Sequence, residues 1–279
     1  MSFRYFDIFL DAFARGDEES AEAFGSTVHW GYWDAPDRAD GTTADFVSAA
    51  ERMNVEMIEL AGLAPGQRVL DVGCGFGGTL ASINRRLRGM NLVGVNVDER
   101  QLERAAEHVK PANDNELSWV RADACDLPFD DGSFDVIMVV EAICHFRSRA
   151  RFFAEARRLL SPGGVLVVSD FVPSSLLTPG MRSWYRTMGL AFERHYGHVD
   201  VTYGIRDYRA LARRTGFLSR REHDVTLNTL PSYAFTRRLM WRYQLPAGEA
   251  IANDSINRAM AWASARGLLR YMLMSFEAV

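Results

Sequence analysis

The chain predicts an α/β fold. A doubly wound, mostly parallel sheet of seven strands carries helices on both faces, with helices ahead of it and a helical lid inserted late. Three observations point there. From Arg68 onward, apolar runs alternate with helical stretches in the order strand, helix, strand, helix, strand, strand, helix, strand. That is the rhythm of parallel strands joined by crossover helices. The first strand, Arg68 to Val72, runs through a glycine-rich turn directly into a helix, Thr79 to Leu87. Finally, Asp71, Asn96, Asp123 and Glu141 all fall at carboxyl ends of predicted strands, the rim where such sheets bind ligands.

Composition bounds the rest. The 279 residues are 48% hydrophobic and 24% charged, ordinary for a globular protein. A net charge of −4 gives no electrostatic case for nucleic acid or an anionic membrane as main partner. Cys74, Cys125 and Cys144 are odd in number and widely spaced, which reads as reduced thiols in a cytoplasm. No apolar run has the length of a membrane span or a signal-peptide core. The expected partner is a small molecule, and assembly into a homo-oligomer stays open.

Residues 1–62 are expected to form an N-terminal helical cap. Phe6, Phe9, Leu10 and Phe13 recur at helical spacing between Phe3 and Gly25, and Thr43 to Gly62 reads as a helix feeding the core. Between them lies Thr27-Val28-His29-Trp30-Gly31-Tyr32-Trp33-Asp34. Its aromatics suit either a lid that stacks on a ligand or a plug between helix and core.

Residues 63–279 are expected to form the core. Ala64 to Gln67 is the turn before the first strand. In Asp71-Val72-Gly73-Cys74-Gly75-Phe76-Gly77-Gly78 the glycines reach backbone angles closed to other residues, and the following helix presents free N–H groups. Gly73, Gly75 and Gly78 also satisfy G-x-G-x-x-G, so a dinucleotide-dependent oxidoreductase is one alternative. Asn91 to Asp98 is the second strand. In nucleotide folds its end meets the ribose, and Asn96 can accept from one hydroxyl and donate to another. Asp98 would share its face, and Gln101 opens the next helix, reaching the ribose or merely lying on the helix surface.

Leu117 to Arg121 is the third strand, followed by Asp123 and Ala124. Val136 to Val140 is a buried parallel strand, followed by Glu141 and His145. Phe152 to Leu160 is a helix, and Ser161-Pro162-Gly163-Gly164 turns into a strand over Val165 to Asp170. Residues 171–203 break the rhythm and hold Trp184, Tyr185 and Tyr203, a core element or a lid over the acceptor. A helix over Arg206 to Thr215, a strand over Phe217 to Thr226, helices over Tyr233 to Tyr243 and Ile251 to Ala265, and a strand over Leu268 to Phe276 complete the chain. Residues 231–262 are the second candidate lid. His195 and His198 lack further ligands nearby, so no metal is expected.

Asp71-x-Gly73-x-Gly75-x-Gly77 resembles the first motif of class I S-adenosylmethionine (SAM) methyltransferases. The likeness is specific over residues 65–170. It implies a Rossmann-like core with SAM as cofactor, whose methionine end lies against Asp71, Gly73, Gly75 and Gly77. His29-Trp30-Gly31-Tyr32-Trp33 resembles the H-x-G-Y-W/F stretch of small-molecule and cyclopropane-synthase-like methyltransferases, which implies that Tyr32 and Trp33 help close that end. Gln101 is similar to a ribose-contacting glutamine of the same branch. Asn96, with Val97 beside it, departs from the acid usual at that position. Asp123 and Ala124 match the adenine-binding segment, which continues as Leu127-Pro128-Phe129. Glu141 counts among the cofactor-facing residues as well.

The same likeness implies a natural-product type of enzyme. It would move a methyl group to an oxygen or carbon of a hydrophobic acceptor held by Trp184, Tyr185 and Tyr203. His145, in a Glu-x-x-x-His segment, is the expected general base; binding backbone and shaping the pocket is the other reading of it. Glu141 would orient His145 or act itself. Glu-Ala-x-Cys-His also resembles sterol C-methyltransferases, which implies a prenyl- or sterol-like C-methylation using Glu141.

Overall fold

The computed structural model describes residues 4–183, 197–243 and 245–279. Its centre is one seven-stranded sheet of order β3-β2-β1-β4-β5-β7-β6. The strands are β1 (Arg68–Val72), β2 (Asn91–Asn96), β3 (Glu116–Arg121), β4 (Phe134–Val140), β5 (Leu160–Pro173), β6 (Phe217–Asp224) and β7 (Leu269–Ala278). β1 to β5 are parallel, and β7 runs antiparallel between β5 and β6. The chain direction across the sheet reverses between β1 and β4, which opens a crevice at their carboxyl ends.

Continuous apolar runs make the central strands. Val69, Leu70 and Val72 in β1 and Val136 to Val139 in β4 are all almost fully buried, as expected of strands covered on both faces. One apolar cluster, with Leu70, Ile137, Phe152, Phe153 and Phe217, fills one side. A second, with Met53, Met57, Leu80, Ile83 and Tyr271, fills the other.

The helices start where their caps dictate. α1 (Arg4–Ala14) and α2 (Glu18–Phe24) precede α3 (Thr43–Ala61), which Thr42 caps through Asp45 N and Gly62 ends at φ +65°. α4 (Gly78–Arg86) follows β1. α5 (Glu99–His108) is capped by Asp98, and α6 (Arg149–Leu159) by Ser148. α7 (Ile205–Arg214) precedes β6, and α8 (Pro231–Met240) and α9 (Ala247–Ala265) precede β7.

Several boundaries differ from the sequence reading. β5 begins five residues early by pairing Leu160 with Phe134, with an irregularity before Val136 meets Val165, and continues through Pro173. β6 ends at Asp224, because a single helical turn, Thr226–Thr229, starts there and its Thr226 Oγ1 accepts from Tyr271 N at 2.9 Å. The two helices before β7 begin earlier, at Pro231 and Ala247. The N-terminal helices share a third cluster with α8: Phe24, Phe46 and Phe235 meet there, the last two stacked at 4.1 Å.

Candidate active site

The crevice at the strand ends holds a cavity of roughly 390 Å³, within the range of ligand pockets. β1 delivers Asp71 to it. The glycine turn is pinned to β2 where Gly73 N and Cys74 N both donate to Val95 O, at 2.8 and 3.0 Å. Asp71 is 1% exposed, and its Oδ1 is buried with no hydrogen-bond partner among the described residues. Burial pushes this carboxyl up to about 7. A buried acceptor without a donor is costly, so the position suits a cationic or N–H-bearing ligand.

The glycines do different work. Gly75, at φ +56°, faces open space, so the main chain itself forms the cavity wall there. At Gly73 a Cβ would sit 2.4 Å from Ala142 Cβ. Gly77 faces away from the cavity: a Cβ there would meet the Trp119 ring at 2.6 Å and Ala105 at 3.2 Å. Gly78 lets Ser26 and Thr27 lie directly on the start of α4. Gly78 and Thr79, at the start of α4, also line the cavity.

β2 supplies Asn96 and Val97. Asn96 Oδ1 accepts from Asp98 N at 3.1 Å, and its Nδ2 donates to Gln101 Oε1 at 3.0 Å. Gln101 is on the buried face of α5, 1% exposed, and lines the cavity. Asp98 is instead taken up by capping α5 and pairing with Arg100 at 2.7 Å. After β3, Asp123 Oδ1 accepts from Cys125 N at 2.9 Å, and Asp123 and Ala124 both line the wall.

β4 ends on Glu141, which adopts φ +51°, uncommon for a residue with a side chain. Ser169 Oγ of β5 accepts from its main-chain N–H at 3.0 Å. Its Oε1 accepts from Trp30 N at 2.7 Å and from Tyr271 Oη at 2.5 Å. Burial outweighs these two donors and pushes the carboxyl up to about 8. Glu141 therefore braces Trp30 and Tyr271, and it does not orient His145. His145 Nδ1 lies 2.9 Å from His198 O. A carbonyl only accepts, so Nδ1 carries the hydrogen and Nε2 the lone pair. Burial lowers the imidazole to about 4, so the ring is neutral near pH 7. The Cys74 and Cys144 thiols are pushed up by burial and stay protonated.

Trp30 lines the cavity. Its ring meets Tyr233 at 4.2 Å and Phe171 at 5.5 Å, both edge-on. Phe6, Phe9, Phe24, Phe146, Asp170, Phe171 and Thr236 also line the cavity. Tyr32 and Trp33, expected at the wall, stand behind it. Tyr32 lies beneath Arg52, whereas the Trp33 indole N–H donates to Asp45 at 2.9 Å and its ring packs on Phe46. Gly31 breaks the segment between them and Trp30, and Tyr32 N bonds Ala49 O of α3 at 2.8 Å, which turns both rings outward. Tyr203 covers the Arg149 guanidinium at 4.5 Å and does not reach the wall. Trp184, Tyr185 and His195 lie outside the described residues. Trp30, Ser169, Phe171 and Tyr271 were not singled out from the sequence.

The donor set fits SAM. An orphaned buried carboxylate at Asp71, open main chain at Gly75, the Asn96–Gln101 amide pair and the Asp123–Ala124 turn follow one another along the rim. They would hold its amino acid end, ribose and adenine respectively.

Known proteins agree. Residues 70–168 match the family described as "Methyltransferase domain". The chain is 32% identical over 226 residues to the methyltransferase GfsG of Streptomyces halstedii, covering 80% of this chain and 77% of that one. It is 31% identical to the 27-O-demethylrifamycin SV methyltransferase of Amycolatopsis mediterranei (strain S699), covering 76% and 74%. In fold it is similar to geranyl diphosphate C-methyltransferase from Streptomyces coelicolor A3(2), solved with S-adenosyl-L-homocysteine. There the TM-score is 0.71 at 19% identity, covering 93% of this chain and 92% of that one. The dehydrogenase alternative gives way, and the chain belongs to the SAM-dependent small-molecule methyltransferases.

Proposed function

We propose that the protein methylates an oxygen of a hydrophobic, natural-product-type acceptor, with His145 as general base. SAM supplies the electrophilic methyl group when bound. One observation carries the reading: His145 is neutral, borders the cavity and keeps its lone pair on Nε2 because Nδ1 donates to His198 O. Nε2 would take the acceptor's hydroxyl proton. Trp30, Phe146 and Phe171 would hold an apolar ring system and exclude water. The rifamycin relative, named for methylation at an oxygen, supports this chemistry. The described parts of residues 171–203 and 231–262 would contribute to the acceptor's cover, since Phe171 and Thr236 line the cavity.

C-methylation is the second reading. It is favoured by Glu141, whose Oε1 alone takes both donors and leaves Oε2 for the substrate. Labelled SAM against a panel of hydroxylated macrolactones and prenyl alcohols, with product NMR, separates the two. An O-methyl product from wild type with a roughly 10²–10⁴-fold loss of kcat in His145→Ala supports the first. A C-methyl product, or His145→Ala with normal kcat, overturns it.

A further inference from the structure

The buried Arg149 lies at the start of α6 and is 3% exposed. Its Nη2 donates to Asp170 Oδ2 at 2.9 Å and to Asp200 O at 2.7 Å, and its Nη1 pairs with Asp200 Oδ2 at 2.9 Å. Nε lies 3.0 Å from Tyr208 Oη, which itself donates to Asp170 Oδ2 at 2.5 Å. The Tyr203 ring covers the guanidinium plane. One cation thus ties the end of β5 and a helix of the core, α7, to residues 200–203.

That stretch has a second anchor, where Asp200 N donates to Cys144 O at 2.8 Å. Two residues before Asp200 stands the His198 carbonyl that accepts from His145 Nδ1. Ion pair, backbone bridge and imidazole form one connected chain. From one planar fork an arginine donates to a carboxylate and a main-chain carbonyl while its charge faces a second carboxylate.

We infer that Arg149 is a positioning residue: by clamping Asp200 and Tyr203 it holds the His198 carbonyl in place and so selects the Nδ1–H tautomer of His145. This rests on the proposed role of His145 only for its catalytic meaning; the tautomer itself is observable without substrate. A broken clamp frees residues 198–203 to move away, and Nδ1 loses the acceptor that biases the ring. The bias toward the Nδ1–H tautomer should then weaken.

The test uses the full chain labelled with ¹⁵N-histidine at neutral pH, with His145 assigned through His145→Gln. In wild type the two ring nitrogens of His145 should give the widely separated shifts of one tautomer, protonated at Nδ1. In Asp200→Ala and Arg149→Lys the two shifts should move toward each other. S-adenosyl-L-homocysteine binding, within a few-fold of wild type, certifies that each variant is folded. Should Arg149→Lys fail that check, Asp200→Ala and Tyr203→Leu decide. A folded variant with lowered thermal stability but unchanged His145 shifts would mean a purely structural network and overturn the inference. So would a wild-type ring protonated at Nε2. His145→Ala with full activity would sink the general-base reading and leave this result standing.

Discussion

Tyr271 donates its hydroxyl to Glu141 Oε1 across 2.5 Å, joining β7 to the end of β4. The bond favours the ionised carboxyl, although burial still holds Glu141 up at about 8. Tyr271→Phe removes that donor, so the Glu141 pKa should rise further, and the loss should cost about 1–3 kcal/mol of stability. A pH titration of the Glu141 side-chain carboxyl by ¹³C NMR, with urea unfolding, checks both.

His145 and Glu141 predict pH profiles that rise through different midpoints. With His145 as base, kcat/KM should rise through about 4, where the buried imidazole loses its proton, and be flat around neutrality. An unperturbed histidine would place that limb near 6–7, and burial is what displaces it. With Glu141 as base the rise should instead run through about 8.

Asp71 should make the ligand-free protein less stable as pH rises. Its folded pKa of about 7 lies above an unfolded value of about 3.9. Between the two, only the folded state keeps the proton, so rising pH favours unfolding until both states are ionised. The thermal midpoint should therefore fall between about pH 4 and about pH 7, part of that slope vanishing in Asp71→Asn. The same variant should lose at least tenfold in S-adenosyl-L-homocysteine affinity by calorimetry, about 1.4 kcal/mol.

Two glycines two residues apart should respond differently to alanine. Gly75→Ala costs only its left-handed backbone, about 1–2 kcal/mol, because nothing lies near the new Cβ. Its Cβ enters the cavity wall, so cofactor affinity should fall. Gly77→Ala adds a collision with Trp119 and should lose more stability. Urea unfolding beside ligand titration separates the pair.

Trp30→Ala should raise the acceptor KM, since the ring walls the cavity. Trp33→Ala should leave KM unchanged but lose about 3–5 kcal/mol of stability, since that ring is 7% exposed against Phe46. Steady-state kinetics and thermal unfolding of the two variants test the assignment.

The sheet and its polar rim were legible because parallel strands announce themselves as apolar runs, and Asp71, Asn96, Asp123 and Glu141 end such runs. Residues 27–34 have no period, so nothing local distinguishes Trp30 from Tyr32 or Trp33. Which ring faces in is decided by Glu141 and Tyr233, both far away in sequence. Tyr271 looked like any strand residue, and its place beside Glu141 follows from β7 entering next to β5, a matter of sheet order. Gly77 satisfied a spacing whose cause is packing on Trp119. Arg149 could have been noticed as an arginine on the apolar side of an amphipathic helix, where burial demands partners.

The interior position of β7 has a consequence for biogenesis. Ser169 pairs with Leu273, and everything between them must be threaded as one loop before the sheet can close. A polypeptide leaving the ribosome can assemble β1 to β5 while the edge of β5 is still bare. Only when β7 docks does that edge disappear and Glu141 acquire its tyrosine. Such non-local pairing is slow, so maturation of the pocket trails formation of the sheet. A chain stalled at that stage would display a long apolar strand edge to chaperones and to its own copies.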